Sequence, residues 1–292
     1  MADTTAQAEI RGININKMVT GFADESLVLR MFLASRSVNA REVRWYKKTA
    51  GFLTSPTTTG MTTDLIETTQ KALPVVLQQS TTRLTSYVKK WFAESETISM
   101  EDINDNDVDI FGIHLRDIVR AVQNQEDTHA YDILTESLSP SAINTTAAAG
   151  TGWDDATNGN PYLDLINGAM KIKQSSYDGQ IVVYINPIEE KNLKNWLVTV
   201  KGSSVPAFSS EQIKNKRLME IDGQKIVVSN NATTDYALQF VQGTSATWNS
   251  FMGLTSAVVT DEGIGKKIRV WEEGICTLDN PLSVHLVTDT VT

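Results

Sequence analysis

The sequence predicts an α+β fold, and three features carry that prediction. Apolar residues recur at the helical period over one long stretch from about Asp107 to Leu134. An Asp222-Gly223 pair separates two apolar runs, as a tight hairpin requires. The remainder of the chain after that pair is a succession of strand-like runs, so the chain combines a long helix with a strand-rich stretch.

The bulk numbers permit a sizeable core. The chain has 292 residues, 41% hydrophobic and 21% charged, with a mean hydropathy of -0.20, and the length suits one large domain or two ordinary ones. No apolar run approaches the roughly 18 residues needed to cross a bilayer. Met1 to Ile10 has neither the basic start nor the apolar stretch of a secretion signal, so synthesis in a cytoplasm is expected. Cys276 is the only cysteine, which excludes an intrachain disulfide and a cysteine-based zinc site.

Charge is unevenly spread. Residues 1–100 carry 12 basic and 9 acidic groups, whereas residues 101–292 carry 14 and 26, and together they give the net -9. Between Arg11 and Lys48 there are 8 basic residues to 3 acidic, and in 101–136 there are 10 acidic to 2 basic. Such asymmetry can steer one copy of a chain onto another, and it is equally compatible with two solvated faces of unequal charge.

Taken in order, residues 1–23 lack a sustained apolar period and read as an extended arm. Asp24 then caps a short apolar segment, Leu27 to Leu33, which needs a partner surface. From Thr49 to Thr69 the chain is rich in Thr, Ser and Gly, the composition of a protruding loop or ribbon, and Pro74 to Leu77 and Ser80 to Val88 supply the returning strand. An excursion of that length usually serves a partner. The small segment Ile98 to Ile103 precedes the long helix, whose acidic start, Asp105, Asp107 and Asp109, suits the positive end of the helix dipole.

Residues 138–160 read as a polar linker and a candidate domain boundary. Asn160-Pro161 then opens a helix through Lys173. Gln180 to Ile185 reads as a buried strand, and Asn186-Pro187-Ile188-Glu189 as a capping box in which Asn186 and Glu189 satisfy each other's backbone donors. The helix it starts ends before Gly202. Leu218 to Ile221 and Lys225 to Val228 form the hairpin, followed by strands at 237–241, 256–260, 267–272 and 282–288.

Chemistry is thinly represented. Glu262 to Lys267 contains a Gly-Lys pair but lacks the spacing and the hydroxyl of a phosphate loop, and reads as a turn. No GxSxG elbow surrounds a serine, and the acidic cluster before the long helix lacks the glycine and terminal glutamate of a calcium loop. His114, His129 and His285 form no HExxH or HxH pair and read as structural or surface residues. The six tryptophans do not interleave with basic residues as a nucleic-acid platform would, and a chain with a pI near 4.9 is a poor sequence-independent DNA binder. No catalytic residue, cofactor or metal site is expected.

The order of these pieces resembles the major capsid proteins of tailed phages, the Hong Kong 97 fold. The resemblance rests on the basic arm, the protruding loop, Leu73 to Val76, Tyr87 to Phe92, the segment Ile98 to Ile103 and the long helix. It continues through the helix around Leu163 to Met170, Ile181 to Pro187, the hairpin Gly223 to Val228, and the closing stretches Ile268 to Gly274 and Asn280 to Leu286. It implies an N-terminal arm at 1–40, an extended loop at 41–92, a peripheral domain at 93–145 and 250–292 carrying the long helix as its spine, and an axial domain at 146–249.

Its functional implication is a structural subunit, not an enzyme, that self-assembles as hexamers and pentamers into an icosahedral shell around a double-stranded DNA genome. The implied partners are other copies of the chain, a portal, separate scaffolding or decoration proteins, and packaged DNA held without sequence-specific contacts. The implied location is the virion, assembled in the host cytoplasm. Arg36, Arg41, Arg44, Lys47 and Lys48 are candidates for docking on Asp105, Asp107 and Asp109 of a neighbour, where charge sets register and apolar contacts supply affinity. A scaffolding segment ahead of the arm is not recognisable, so scaffolding is expected to be separate, already cleaved or dispensed with; no crosslinking lysine is assigned. An encapsulin-like compartment shell shares the same implied fold, and a soluble α+β enzyme with a site built from distant residues is the rival of a different class.

Overall fold

The computed structural model describes residues 29–49, 81–101, 108–155, 157–197 and 220–291, with the side chains of 108–111 also outside the described set. The expected arm before Leu29, the Asp24 cap, the Thr-rich excursion with Pro74 to Leu77, and Leu218-Met219 lie outside these residues.

The organising element is helix α1, Val108–Leu134. Its buried positions, Leu115, Ile118, Val119, Val122, Ala130, Tyr131 and Leu134, recur at spacings of three and four and so share one face. At 1.5 Å per residue it is about 40 Å long. It is long enough to serve two cores in succession. The first half packs Leu115, Ile118, Val119 and Val122 with Ile98, Ile268 and Val270. The second half packs Ala130, Tyr131 and Leu134 with Val182, Tyr184, Leu238, Phe240 and Leu286.

The first of those cores belongs to a five-stranded sheet. Strands β1 (Ala34–Ser37), β4 (Lys89–Glu94), β5 (Ile98–Ser99), β11 (Thr247–Asp261) and β12 (Gly265–Thr277) form it in the order β1-β11-β12-β4, with β5 against the end of β12. β11 and β12 are one long antiparallel hairpin. The Gly-Lys segment at 262–267 is its turn, with Gly263 at φ 76° where a side chain would be strained.

The second core belongs to a six-stranded mixed sheet, β6-β13-β10-β7-β9-β8. Its strands are β6 (Asn144–Ala147), β7 (Ile181–Ile185), β8 (Glu220–Ile221), β9 (Gln224–Val228), β10 (Tyr236–Val241) and β13 (Val284–Thr288). All five residues of β7 are buried, as expected for a central strand covered on both faces. Helix α2, Pro161–Gln174, starts where Asn160 Oδ1 accepts from the Leu163 N–H at 3.2 Å. The β8–β9 turn places Asp222 and Gly223 at φ 49° and 71°, the positive pair that a two-residue hairpin uses.

Two local expectations change. Helix α3, Pro187–Asn195, is capped by Asn186 Oδ1 accepting from Ile188 N–H at 3.1 Å, but Glu189 does not reciprocate. Its Oε1 instead accepts from Asp235 N–H at 2.7 Å, because Glu189 is fully buried and faces the β10 approach rather than its own helix start. The stretch expected as a linker at 138–160 contains β6, which pairs in parallel with β13, and buries Trp153 in the core. The strand expected at 282–288 joins the second sheet, against β10 and β6, and not the sheet of its chain neighbour β12. Long-range pairing, invisible to local pattern, decides that placement.

Candidate assembly interface

Three of the basic residues singled out by charge, Arg44, Lys47 and Lys48, lie on a separate two-stranded ribbon. Strands β2 (Glu42–Lys48) and β3 (Thr81–Tyr87) pair antiparallel from Glu42 opposite Tyr87 to Lys48 opposite Thr81. Alternation turns Val43 inward and leaves Tyr46 and Tyr87 exposed at 60% and 69%. Trp45 Nε1 donates to Ser86 Oγ at 2.9 Å across the pair. A lone two-stranded ribbon is marginal in water, so it needs a supporting surface.

That support comes from the chain's own body. Lys48 N–H donates to the Asp279 carbonyl at 2.8 Å, and Lys47 Nζ donates to Glu136 Oε1 at 3.0 Å just beyond the end of α1. Beneath the ribbon lies a cavity of about 690 Å³ lined by Trp45, Lys47, His129, Glu136, Cys276 and Leu278, among others. Burial and the Lys89 charge depress the His129 pKa to about 4, so its ring is neutral at physiological pH. Burial pushes the Cys276 thiol up to about 12, which removes it as a nucleophile. Among the described residues no group of His, Cys, Asp and Glu is arranged to hold a metal ion.

The five basic candidates have different fates. Arg36 lies exposed on β1. Arg41 Nη2 pairs with Glu273 Oε2 of the same chain at 3.0 Å, with its guanidinium 5.4 Å from the Phe251 ring centre. Arg44 Nε donates to Glu42 Oε1 at 2.7 Å two positions away on its own strand. Lys47 meets Glu136 as described, and partial burial lowers the pKa of Lys48. Of the acidic candidates, Asp105 and Asp107 lie outside the described residues, and Asp109 is in α1 with its side chain outside them. Arg41 and Lys47 thus find acidic partners inside their own chain, at Glu273 and Glu136.

Sequence reading missed a buried ionisable cluster around Arg30. Arg30, on the short turn Arg30–Phe32, reaches Glu126 of α1 and Glu272 of β12, while its backbone N–H donates to Asp127 Oδ1 at 3.3 Å. The available signal was Glu126 itself, which falls four residues after Val122 on the apolar face of the helix. A carboxylate on that face must be paired, protonated or strained.

This geometry has close counterparts. The family model described as phage capsid protein matches residues 82–274, about two thirds of the chain. The virus-like particle from Pyrococcus furiosus superimposes with a TM-score of 0.64 at 14% identity, covering 95% of this chain and 99% of that one. The capsid of the cyanophage P-SCSP1u gives 0.64 at 10% identity over 88% and 86% of the two chains, and the mature capsid of bacteriophage PhiM1 gives 0.61 at 12% identity over 90% and 86%. Among curated sequences, the uncharacterized protein L792 of Acanthamoeba polyphaga mimivirus is 23% identical over 112 residues, 38% of this chain and 49% of that one, so the chain spans about half the length of that relative. The α+β arrangement of this chain is the Hong Kong 97 fold that those structures share. The chain belongs to the phage capsid protein family and is a major capsid protein, a structural subunit of a shell.

Proposed function

We propose that this chain assembles as hexamers and pentamers into an icosahedral shell enclosing a double-stranded DNA genome, in a virion put together in the host cytoplasm, and that it has no catalytic role. The observation that carries this reading is the β2–β3 ribbon. It presents two tyrosines to solvent on a sheet too small to stand alone, and amphipathic aromatic side chains are the type enriched where protein surfaces meet. A portal and separate scaffolding or decoration proteins are the further partners of such a shell.

Within it, residues 1–40 act as the arm and 41–92 as the extended loop. The rest of the first sheet, β5, β11 and β12, acts with α1 as the peripheral domain, and the second sheet, taking in β6 and the closing strand, as the axial domain. Arg36 and Arg44, both directed to solvent, are the basic residues best placed to meet an acidic neighbour, with Asp105, Asp107 and Asp109 as candidate partners.

Electron microscopy of the expressed or native particle, with its absorbance ratio at the nucleic-acid and protein maxima, tests the proposal. Closed shells rich in nucleic acid are the expected result. Shells filled with protein would reassign the cargo to that of a compartment, and small oligomers that persist with a scaffolding partner present would overturn shell assembly altogether.

A further inference from the structure

The end of α1 is held in an unusual backbone state. Glu136, Ser137 and Leu138 all have positive φ, at 50°, 54° and 57°, so three successive residues with side chains form one left-handed turn. In that region Cβ crowds the following carbonyl oxygen, and residues other than glycine visit it singly rather than in runs. Such strain persists only where the surroundings over-determine it. Here the backbone bonds of the turn are few: Leu138 N–H donates to the Thr135 carbonyl and Ser139 N–H to the Glu136 carbonyl, both at 3.1 Å.

The restraint comes from the Glu136 carboxylate. Its Oε2 accepts from Ser141 N–H at 2.5 Å and Ala142 N–H at 2.8 Å, which folds the chain back on itself. Its Oε1 is held by Lys47 Nζ from the ribbon at 3.0 Å, in a pair whose side chains are only 20% and 15% exposed. One carboxylate thus ties together the strained turn, the entry to β6 and the ribbon. Leu138 packs partly against the core that α1 shares with the second sheet, so the turn lies at the joint between the helix and that sheet.

We propose that Glu136–Leu138 is a strained hinge between the spine helix and the second sheet, latched by Lys47, so that lifting the ribbon frees the hinge. The proposal rests on the shell reading for its purpose, because a neighbouring copy engaging the ribbon is what would lift it. In the latched state the carboxylate is charge-paired and the left-handed turn is enforced. When Lys47 departs, Glu136 loses this cationic partner and the turn can relax to ordinary backbone geometry, letting α1 reorient against the second sheet. The latch is local and does not need the shell to be intact.

Hydrogen exchange on the unassembled full chain tests this. Lys47→Met keeps the apolar stem but removes the charge, and is expected to raise exchange at the amides of 138–143 by roughly tenfold while leaving Ile181–Ile185 unchanged. Ser137→Gly, which tolerates the left-handed turn, should slow exchange there in the wild-type background and reverse most of the Lys47→Met effect. Faster exchange confined to β2 and β3, or no change at 138–143 in either variant, would overturn the latch. Shell formation by the wild-type chain is scored separately by microscopy, so failure of the shell reading and failure of the hinge give different results.

Discussion

Glu126 on the spine helix and Glu272 on β12 both contact the same nitrogen of Arg30, at 3.0 and 2.6 Å, with side-chain exposures of 0% and 2%. Two buried carboxyl groups thus share one cation, whose carbon also lies 4.7 Å from the Trp248 ring centre. Burial, then the neighbouring Glu272 charge, hold the Glu126 pKa well above the usual carboxylate range, against the opposing pull of Arg30. The arrangement joins the short turn Arg30–Phe32 to both the helix and the first sheet.

A pH dependence follows from the sign of that shift. The folded protein keeps a proton on Glu126 that the unfolded chain releases above pH 4.5, so this group's contribution is full below that value and is lost as pH rises. Between pH 7 and 9 the loss is at most about 1.4 kcal/mol per pH unit. Glu126→Gln, which mimics the protonated acid, should flatten urea-denaturation midpoints across that window; a slope equal to wild type would mean Glu126 is ionised in the folded state.

Removing the shared cation should cost more than neutralising one acid. Arg30→Met leaves Glu126 and Glu272 buried without it, and a loss of about 3 kcal/mol in unfolding free energy is expected. The double variant Arg30→Met with Glu126→Gln should recover part of that loss. If it recovers nothing, the two residues are not energetically coupled.

Gly168 of α2 is required by a buried polar network. A Cβ there would lie 1.7 Å from Gln239 Oε1 and 2.5 Å from His285 Nδ1. Gln239 uses its amide N–H groups on the Leu165 carbonyl and Gln224 Oε1, so its oxygen must accept from His285 Nδ1–H, and His285 Nε2 accepts from Thr146 Oγ1–H at 2.8 Å. Gly168→Ala should therefore cost about 2 kcal/mol by displacing these partners, visible as a lower Tm, unlike an ordinary Gly→Ala change in a helix, which stabilises.

Asp164 fastens the segment ahead of α2 by accepting from Trp153 Nε1 and Ala149 N–H, at 2.9 and 3.0 Å. Asp164→Ala strands both donors and should destabilise the fold by about 2 kcal/mol in thermal or urea unfolding.

Charge reversals separate folding from assembly. Arg41→Glu would face Glu273 of its own chain, so its effect on shells is confounded by lost subunit stability. Arg44→Glu faces exposed Glu42 on the same strand and should change unfolding free energy by about 0.5 kcal/mol or less. A several-fold fall in shell yield is nevertheless expected for it. Wild-type yield and salt resistance would remove Arg44 from the subunit interface.

By itself the sequence determined the elements whose information is local. The spine helix was legible because its apolar residues keep the 3.6-residue period over seven turns, and the helix at Pro161 and the hairpin at Asp222-Gly223 because caps and turns are set by one or two residues. Only the tertiary structure decided what depends on distant partners: that β13 leaves its chain neighbour β12 for the second sheet, that Glu189 serves Asp235 instead of its own helix, and that Lys47 and Arg41 find acids within the chain. Arg30 and Glu272 stand far apart in sequence, and nothing near either one encodes the other. Their meeting is fixed by the packing of helix on sheet, which closes only when the whole chain has folded.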